Sequence, residues 1–281
     1  MQPVRRFSTP LMAVLAAGTV LSANARAAWV VYYGNSEPVA AFEPFDLVVL
    51  DSENHPRLQP LLDRGKTLLG YISLGEVGRH QAHFEAVRAE GLLGQENANW
   101  PGSFFVDLRD PRWTARVVEE LVPGILEQGF HGLFLDTLDN AQEMERAEPL
   151  RHAGMTAAAV GLVRAIRLQY PDIVIMLNRA YLILPDVAAH IDLALGESAL
   201  TDYDFATGVC TEAASDSYLW QAARLKAARE ASPRLELLTL DYWDPEDIAG
   251  VARIYARQRA QGFAPYVATI ELDRIHPEPR P

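Results

Sequence analysis

Cysteine is almost missing from this chain: Cys210 is the only one among 281 residues. A lone thiol has no intrachain partner, so no disulfide framework holds the fold and stability rests on core burial. Positive charge is also scarce. Lys and Arg number 25 against 37 Asp and Glu, a formal net charge of −12. That balance argues against nucleic-acid and anionic-membrane partners, which need basic patches. It suits a neutral or cationic ligand, although solubility alone also accounts for it. The glycine patterns that cradle phosphates, GxGxxG and the P-loop, do not occur. Metal signatures are lacking too: there is no His-x-His and no His-Glu-x-x-His, and His80 and His83 stand at no ligand spacing. The expectation is no metal and no cofactor.

What is present begins with a leader. Residues 1–6 carry two arginines and no acid, residues 11–21 are apolar but for Gly18 and Thr19, and Ala25, Arg26 and Ala27 supply small residues at cleavage positions. That order predicts a signal peptide over residues 1–27, cut after Ala27, and a periplasmic or secreted protein. The apolar run is short for a bilayer span, which takes about 20 residues, and no later run is better. No cysteine lies near the cut, which excludes a lipid anchor. Removing 27 of 281 residues leaves 254, and losing Arg5, Arg6 and Arg26 moves the charge from −12 to −15.

The remainder, 28–281, reads as one domain with a rhythm of short apolar runs at 29–33, 47–50, 67–74, 133–135, 173–177, 193–195, 235–240 and 266–270. Continuous leucine and β-branched runs suit strands buried on both faces, as in a parallel sheet. Helical spacing lies between them: Met155, Ala159, Leu162, Val163, Ile166 and Tyr170; Tyr218, Ala222 and Leu225; Ile248, Val251, Ala252 and Tyr255. Asp244, Pro245 and Glu246 read as the start of the last of these, with Asp244 as cap. The stretch 111–128 is helical in pattern, with a break expected at Pro123-Gly124. Residues 104–107 fall in a long insertion after the third strand. The helix after the eighth strand is expected to be short or missing. Eight strands with helices between them, in about 250 residues, favour a single-domain (β/α)8 TIM barrel; an open doubly wound sheet is the alternative.

In such barrels the chemistry sits at the C-terminal ends of the strands. Here those ends deliver Tyr33, Asp51, Tyr71 and Glu76, Asp136 and Asp139, Asn178, Glu197, and Asp241, Tyr242 and Trp243, with Glu271 beyond the last. Acids with aromatics fit carbohydrate chemistry. Glycoside cleavage needs two carboxyl groups flanking the bond, and aromatic faces stack on sugar rings. Asp136 and Glu197 each follow a buried run directly, which singles them out as the catalytic pair. The others, Glu271 apart, are read as substrate-binding. A strand-end Asp also serves as a helix cap, which is an equal reading for Asp51 and the stronger one for Asp139. His131 precedes its strand and belongs to the opposite face. Trp100 and Trp113 read as packing residues.

The segments GYISLGE at 70–76, GFHGLFLDTLD at 129–139 and GES at 196–198, with LDY at 240–242 and PYV at 265–267, resemble glycoside hydrolase family 114. The resemblance spans most of 28–281 and is most specific at 129–139. It implies a TIM barrel with endo-acting cleavage of α-1,4-linked galactosamine or N-acetylgalactosamine polymers. It also implies Asp136 and Glu197 as the essential pair, with Asp51, Tyr71, Glu76 and Asn178 along the cleft. A partly deacetylated polymer of this kind is cationic, and an acidic cleft would concentrate it. The resulting expectation is a monomeric polysaccharide hydrolase that works by double displacement. Glu197 would be its nucleophile and Asp136 its acid/base, with the reverse assignment open. The rival readings are a non-catalytic polysaccharide-binding barrel and a hydrolase of another class, such as a metal-dependent deacetylase.

Overall fold

The computed structural model describes residues 28–279; the expected signal peptide, residues 1–27, lies outside them. Eight strands form one parallel sheet in sequential order. We number them β1 (Trp29–Tyr32), β2 (Leu47–Asp51), β3 (Thr67–Ser73), β4 (Gly132–Asp136), β5 (Val174–Asn178), β6 (Leu193–Glu197), β7 (Glu236–Tyr242) and β8 (Ala264–Ala268). The sheet curls until its ends face each other. Trp29 Nε1 donates to Ala264 O (3.0 Å), and the Trp29 ring packs edge-on against Tyr266. This nearly closed barrel rules out the open sheet. The strands read as uninterrupted apolar runs because both of their faces are buried; Val48, Val49, Leu50, Leu133 and Leu135 are fully enclosed. At Gly132 a side chain is impossible, since its Cβ would lie 1.9 Å from Val174 O on β5.

The helices that cover the sheet follow the apolar spacing. Met155–Gln169 buries Met155, Ala159, Leu162, Val163 and Ile166, and Ser215–Ala231 buries Tyr218, Ala222, Leu225 and Ala228. Ile248–Ala260 starts later than its proline suggests. Asp247, not Asp244, caps it by accepting from Gly250 N, while Asp244 accepts from Glu246 N in a preceding turn. The stretch after Asp110 runs as α-helix Pro111–Arg116, a π turn Val117–Leu121 and α-helix Val122–Leu126. The irregularity falls just before Pro123 because proline has no N–H to donate to the preceding turn. No helix follows β8 among the described residues. Instead the tail runs along the seam between β8 and β1: Leu272 O accepts from Tyr33 N, Tyr266 Oη accepts from His276 N, and Glu278 pairs with Arg259.

Two insertions rise from the C-terminal ends of strands. After β3, Glu76–Gly78, Leu93–Glu96 and Ser103–Val106 form a three-stranded antiparallel sheet. After β6, Thr201–Asp204 and Val209–Glu212 form a hairpin that carries the half-buried free Cys210. No helix among the described residues is long and apolar enough to cross a membrane.

Candidate active site

The ends of β4, β5 and β6 converge. One atom, Asn178 Nδ2, donates to Asp136 Oδ1 at 2.9 Å and to Glu197 Oε2 at 2.5 Å. The other oxygen of each carboxylate takes a phenol: Tyr71 Oη donates to Asp136 Oδ2 (3.0 Å), and Tyr242 Oη donates to Glu197 Oε1 (2.5 Å). Tyr33 packs edge-on against Tyr71, with ring centroids 5.2 Å apart. Six expected residues from six strand ends therefore share one site: Tyr33, Tyr71, Asp136, Asn178, Glu197 and Tyr242. Because the single Asn178 amide nitrogen faces two carboxylates, its Oδ1 points elsewhere, and this buried atom has no protein partner.

Backbone turns position these groups. Thr137, Arg179 and Ser198, each directly after one of the three converging residues, have φ of 64°, 51° and 49°. A left-handed residue ends the strand abruptly and leaves the preceding side chain aimed into the barrel mouth. Each such non-glycine costs about 1–3 kcal/mol, a strain typical of functional sites. Thr137 is fastened further, accepting from Gly75 N (2.8 Å) and bonding Ser73 Oγ (2.9 Å). Gly75 has to be glycine, because a Cβ there would sit 2.3 Å from Thr137 O. None of these turns carries the usual Gly or Asn signature, so the sequence does not advertise them.

Burial dominates the electrostatics of Glu197 and Asp139. Burial, reinforced by the nearby Asp136 charge, raises the proton affinity of Glu197, against the pull of the Tyr242 and Asn178 hydrogen bonds. The raised carboxyl is thus the one first read as nucleophile. Burial also lifts Asp139 to about 6, opposed by Arg179, whose Nε lies 3.1 Å from Asp139 Oδ2. Burial works against the Arg179 charge, but Asp139 and Glu197 outweigh it and keep its pKa raised. Desolvation, together with the neighbouring carboxylates, keeps Tyr71 and Tyr242 well above the ordinary phenol range, so both are neutral donors.

The remaining expectations meet different outcomes. Asp139 caps nothing: it is the first residue of the helix Asp139–Ala147 and serves as the partner of Arg179, which residue pattern alone did not single out. Asp51 Oδ1 accepts from Glu53 N and Asn54 N, tying the loop after β2. Glu76 is buried and turned away from the cleft, accepting from Asn97 Nδ2, Asn140 Nδ2 and Ser103 Oγ. Asp241 is 0% exposed and faces outward, taking Leu200 N, Thr201 N and Gln258 Nε2. Trp243 bonds Asp247 and packs toward the helix Ile248–Ala260 rather than offering a face to the cleft. Strand parity explains the β7 outcome: if Tyr242 points into the barrel, Asp241 must point out. His131 lies at the other end, its Nδ1 accepting from Leu68 N. Trp113 is packing, with Nε1 on Leu74 O, but Trp100 is exposed.

Comparison with known proteins places this arrangement in context. Residues 10–280 match the model of glycoside-hydrolase family GH114. A Deinococcus radiodurans protein of undescribed function is 30% identical over 243 residues, covering 83% of this chain and 75% of its own. The glycoside hydrolase domain of PelA from Pseudomonas aeruginosa superposes with a TM-score of 0.78 at 28% identity, over 89% of this chain and 98% of that one. Aspergillus fumigatus Ega3, solved in complex with galactosamine, superposes at 0.64 with 13% identity over 88% of this chain and 92% of that one, a likeness of fold.

Proposed function

The chain belongs to glycoside-hydrolase family GH114, and from that premise we propose that it cleaves α-1,4-linked galactosamine or N-acetylgalactosamine polymers internally, with retention at the anomeric carbon. The observation that carries this reading is the Asn178 amide bridging Asp136 and Glu197. A single nitrogen 2.9 Å from one carboxylate and 2.5 Å from the other limits their nearest oxygens to the sum of those distances, about 5.4 Å. Retaining glycosidases hold their carboxyls about 5–5.5 Å apart, and inverting ones about 6.5–9.5 Å to admit a water.

The raised proton affinity of buried Glu197 supports the reverse of the first expectation. Glu197, proton-rich through burial, gives its proton to the glycosidic oxygen as the C–O bond breaks. Asp136 forms the new bond to the anomeric carbon on the opposite face. Glu197, now a carboxylate, then takes a proton from water. The resulting hydroxide adds to the anomeric carbon, and the bond to Asp136 is released. Tyr71 and Asn178 orient the nucleophile, and Tyr242 orients the acid. The surplus of acid in the site (Asp136 and Asp139 against Arg179, with Glu197 holding its proton) supports a cationic amino sugar over an anionic one. The galactosamine bound to Ega3 and the PelA hydrolase likeness support the same substrate class.

The test is incubation with defined galactosamine oligomers, acetylated and free, with products sized by mass spectrometry and the fresh anomer read by NMR. Internal cuts with the starting anomer retained are expected. An inverted product would reject the double displacement, and intact oligomers in both series would reject the substrate.

A further inference from the structure

The barrel mouth carries a second aromatic feature that the catalytic pair does not use. Trp100 sits on the insertion after β3 and is 52% exposed; Phe205 sits at the turn of the hairpin after β6 and is 59% exposed. The two rings nevertheless meet, centroids 5.3 Å apart at 82°. Tyr203 extends the row, 5.1 Å from Phe205 at 85°. The arms arise on either side of β4 and β5, so their contact bridges the rim across the stretch that bears Asp136 and Asn178.

Both arms are braced by buried acids. Glu76 holds the base of the Trp100 turn, taking Asn97 Nδ2 and Ser103 Oγ, and Asn97 N and Ser103 N close that turn onto Ser103 O and Trp100 O. Asp241 holds the base of the hairpin through Leu200 N and Thr201 N. Rigid supports under exposed aromatic tips are costly in hydrophobic terms unless something covers the tips. In a T-shaped contact one ring presents only its edge, so that ring keeps its faces free. Free aromatic faces on the rim of a sugar-cleaving cleft match the apolar C–H face of a hexosamine ring.

We propose that Trp100, Phe205 and Tyr203 form a stacking station for saccharide units of the polymer remote from the scissile bond, which makes the enzyme selective for long chains. The proposal rests on the hydrolase reading above. Its occupant is the galactosamine chain itself, threaded past the catalytic pair and laid against the bridge. Binding can be measured apart from cleavage in the E197Q background, by calorimetry with a galactosamine trimer and with a long galactosamine oligomer. Adding W100A or F205A should weaken the long oligomer about tenfold, the loss from removing a well-placed aromatic anchor, and the trimer clearly less. W100F should recover most of the loss, and thermal melting should show the variants folded. Equal weakening at both lengths, or none at either, overturns the station. If the wild-type chain cuts neither oligomer while length-dependent binding through Trp100 persists, the hydrolase reading falls and the station stands.

Discussion

The acids at and just beyond the strand ends fall into two groups that differ in what surrounds them. Asp136 and Glu197 project into the barrel mouth, share the Asn178 amide and each take one phenol. Glu76, on the insertion after β3, and Asp241, on β7, are instead enclosed by protein, where they collect hydrogen bonds from the two insertions. The inward pair remains open to a ligand; the enclosed pair is consumed by the protein. Chemistry and scaffolding thus use the same side chains at the same end of the barrel.

The sharpest way to break the comparison is to neutralise one member of each group. D136N or E197Q should lower kcat on a galactosamine oligomer by about a thousandfold or more while leaving the melting temperature close to wild type, since each keeps its shape and hydrogen-bonding neighbours. D241A should do the opposite. It strands Leu200 N, Thr201 N and Gln258 inside the fold, a loss of about 3 kcal/mol, or roughly 10 °C in melting temperature, with activity per folded molecule falling less than tenfold. A D241A protein as stable as wild type but inactive would place Asp241 in the chemistry and undo the distinction.

Asp139 lies between the groups, and its test is pH. Its carboxyl titrates at about 6 in the fold because burial penalises the charge, against about 3.9 for an unperturbed aspartate. The folded state therefore holds the proton more tightly. The associated stability is fully present below about pH 4 and is lost as pH rises through 6. Denaturant unfolding should show wild type losing stability relative to D139N across that window, on the order of 2 kcal/mol in all. A flat difference would mean that Arg179 keeps Asp139 charged throughout.

Much of the fold was legible because parallel barrel strands are buried on both faces and appear as unbroken apolar runs. The eight runs matched the eight strands, and no helix follows the last of them among the described residues. Asp136 and Glu197 stood out because each ends such a run. The Asp244 cap failed because Asp247, three residues on, reaches Gly250 N, and a local acid-proline signal does not say which turn of chain follows it. Trp100 was read as packing because exposure depends on where an insertion tip lands.

Local residue chemistry by itself determined that this chain would form a one-domain α/β barrel, without disulfides and with an acidic rim, since burial demand and periodicity are written residue by residue. Which rim acids meet, and which turn their backs, was decided only in three dimensions. Strand parity, the three left-handed turns and the long-range bridge of Asn178 depend on register between segments that are remote in the chain, and no short window of residues contains that information.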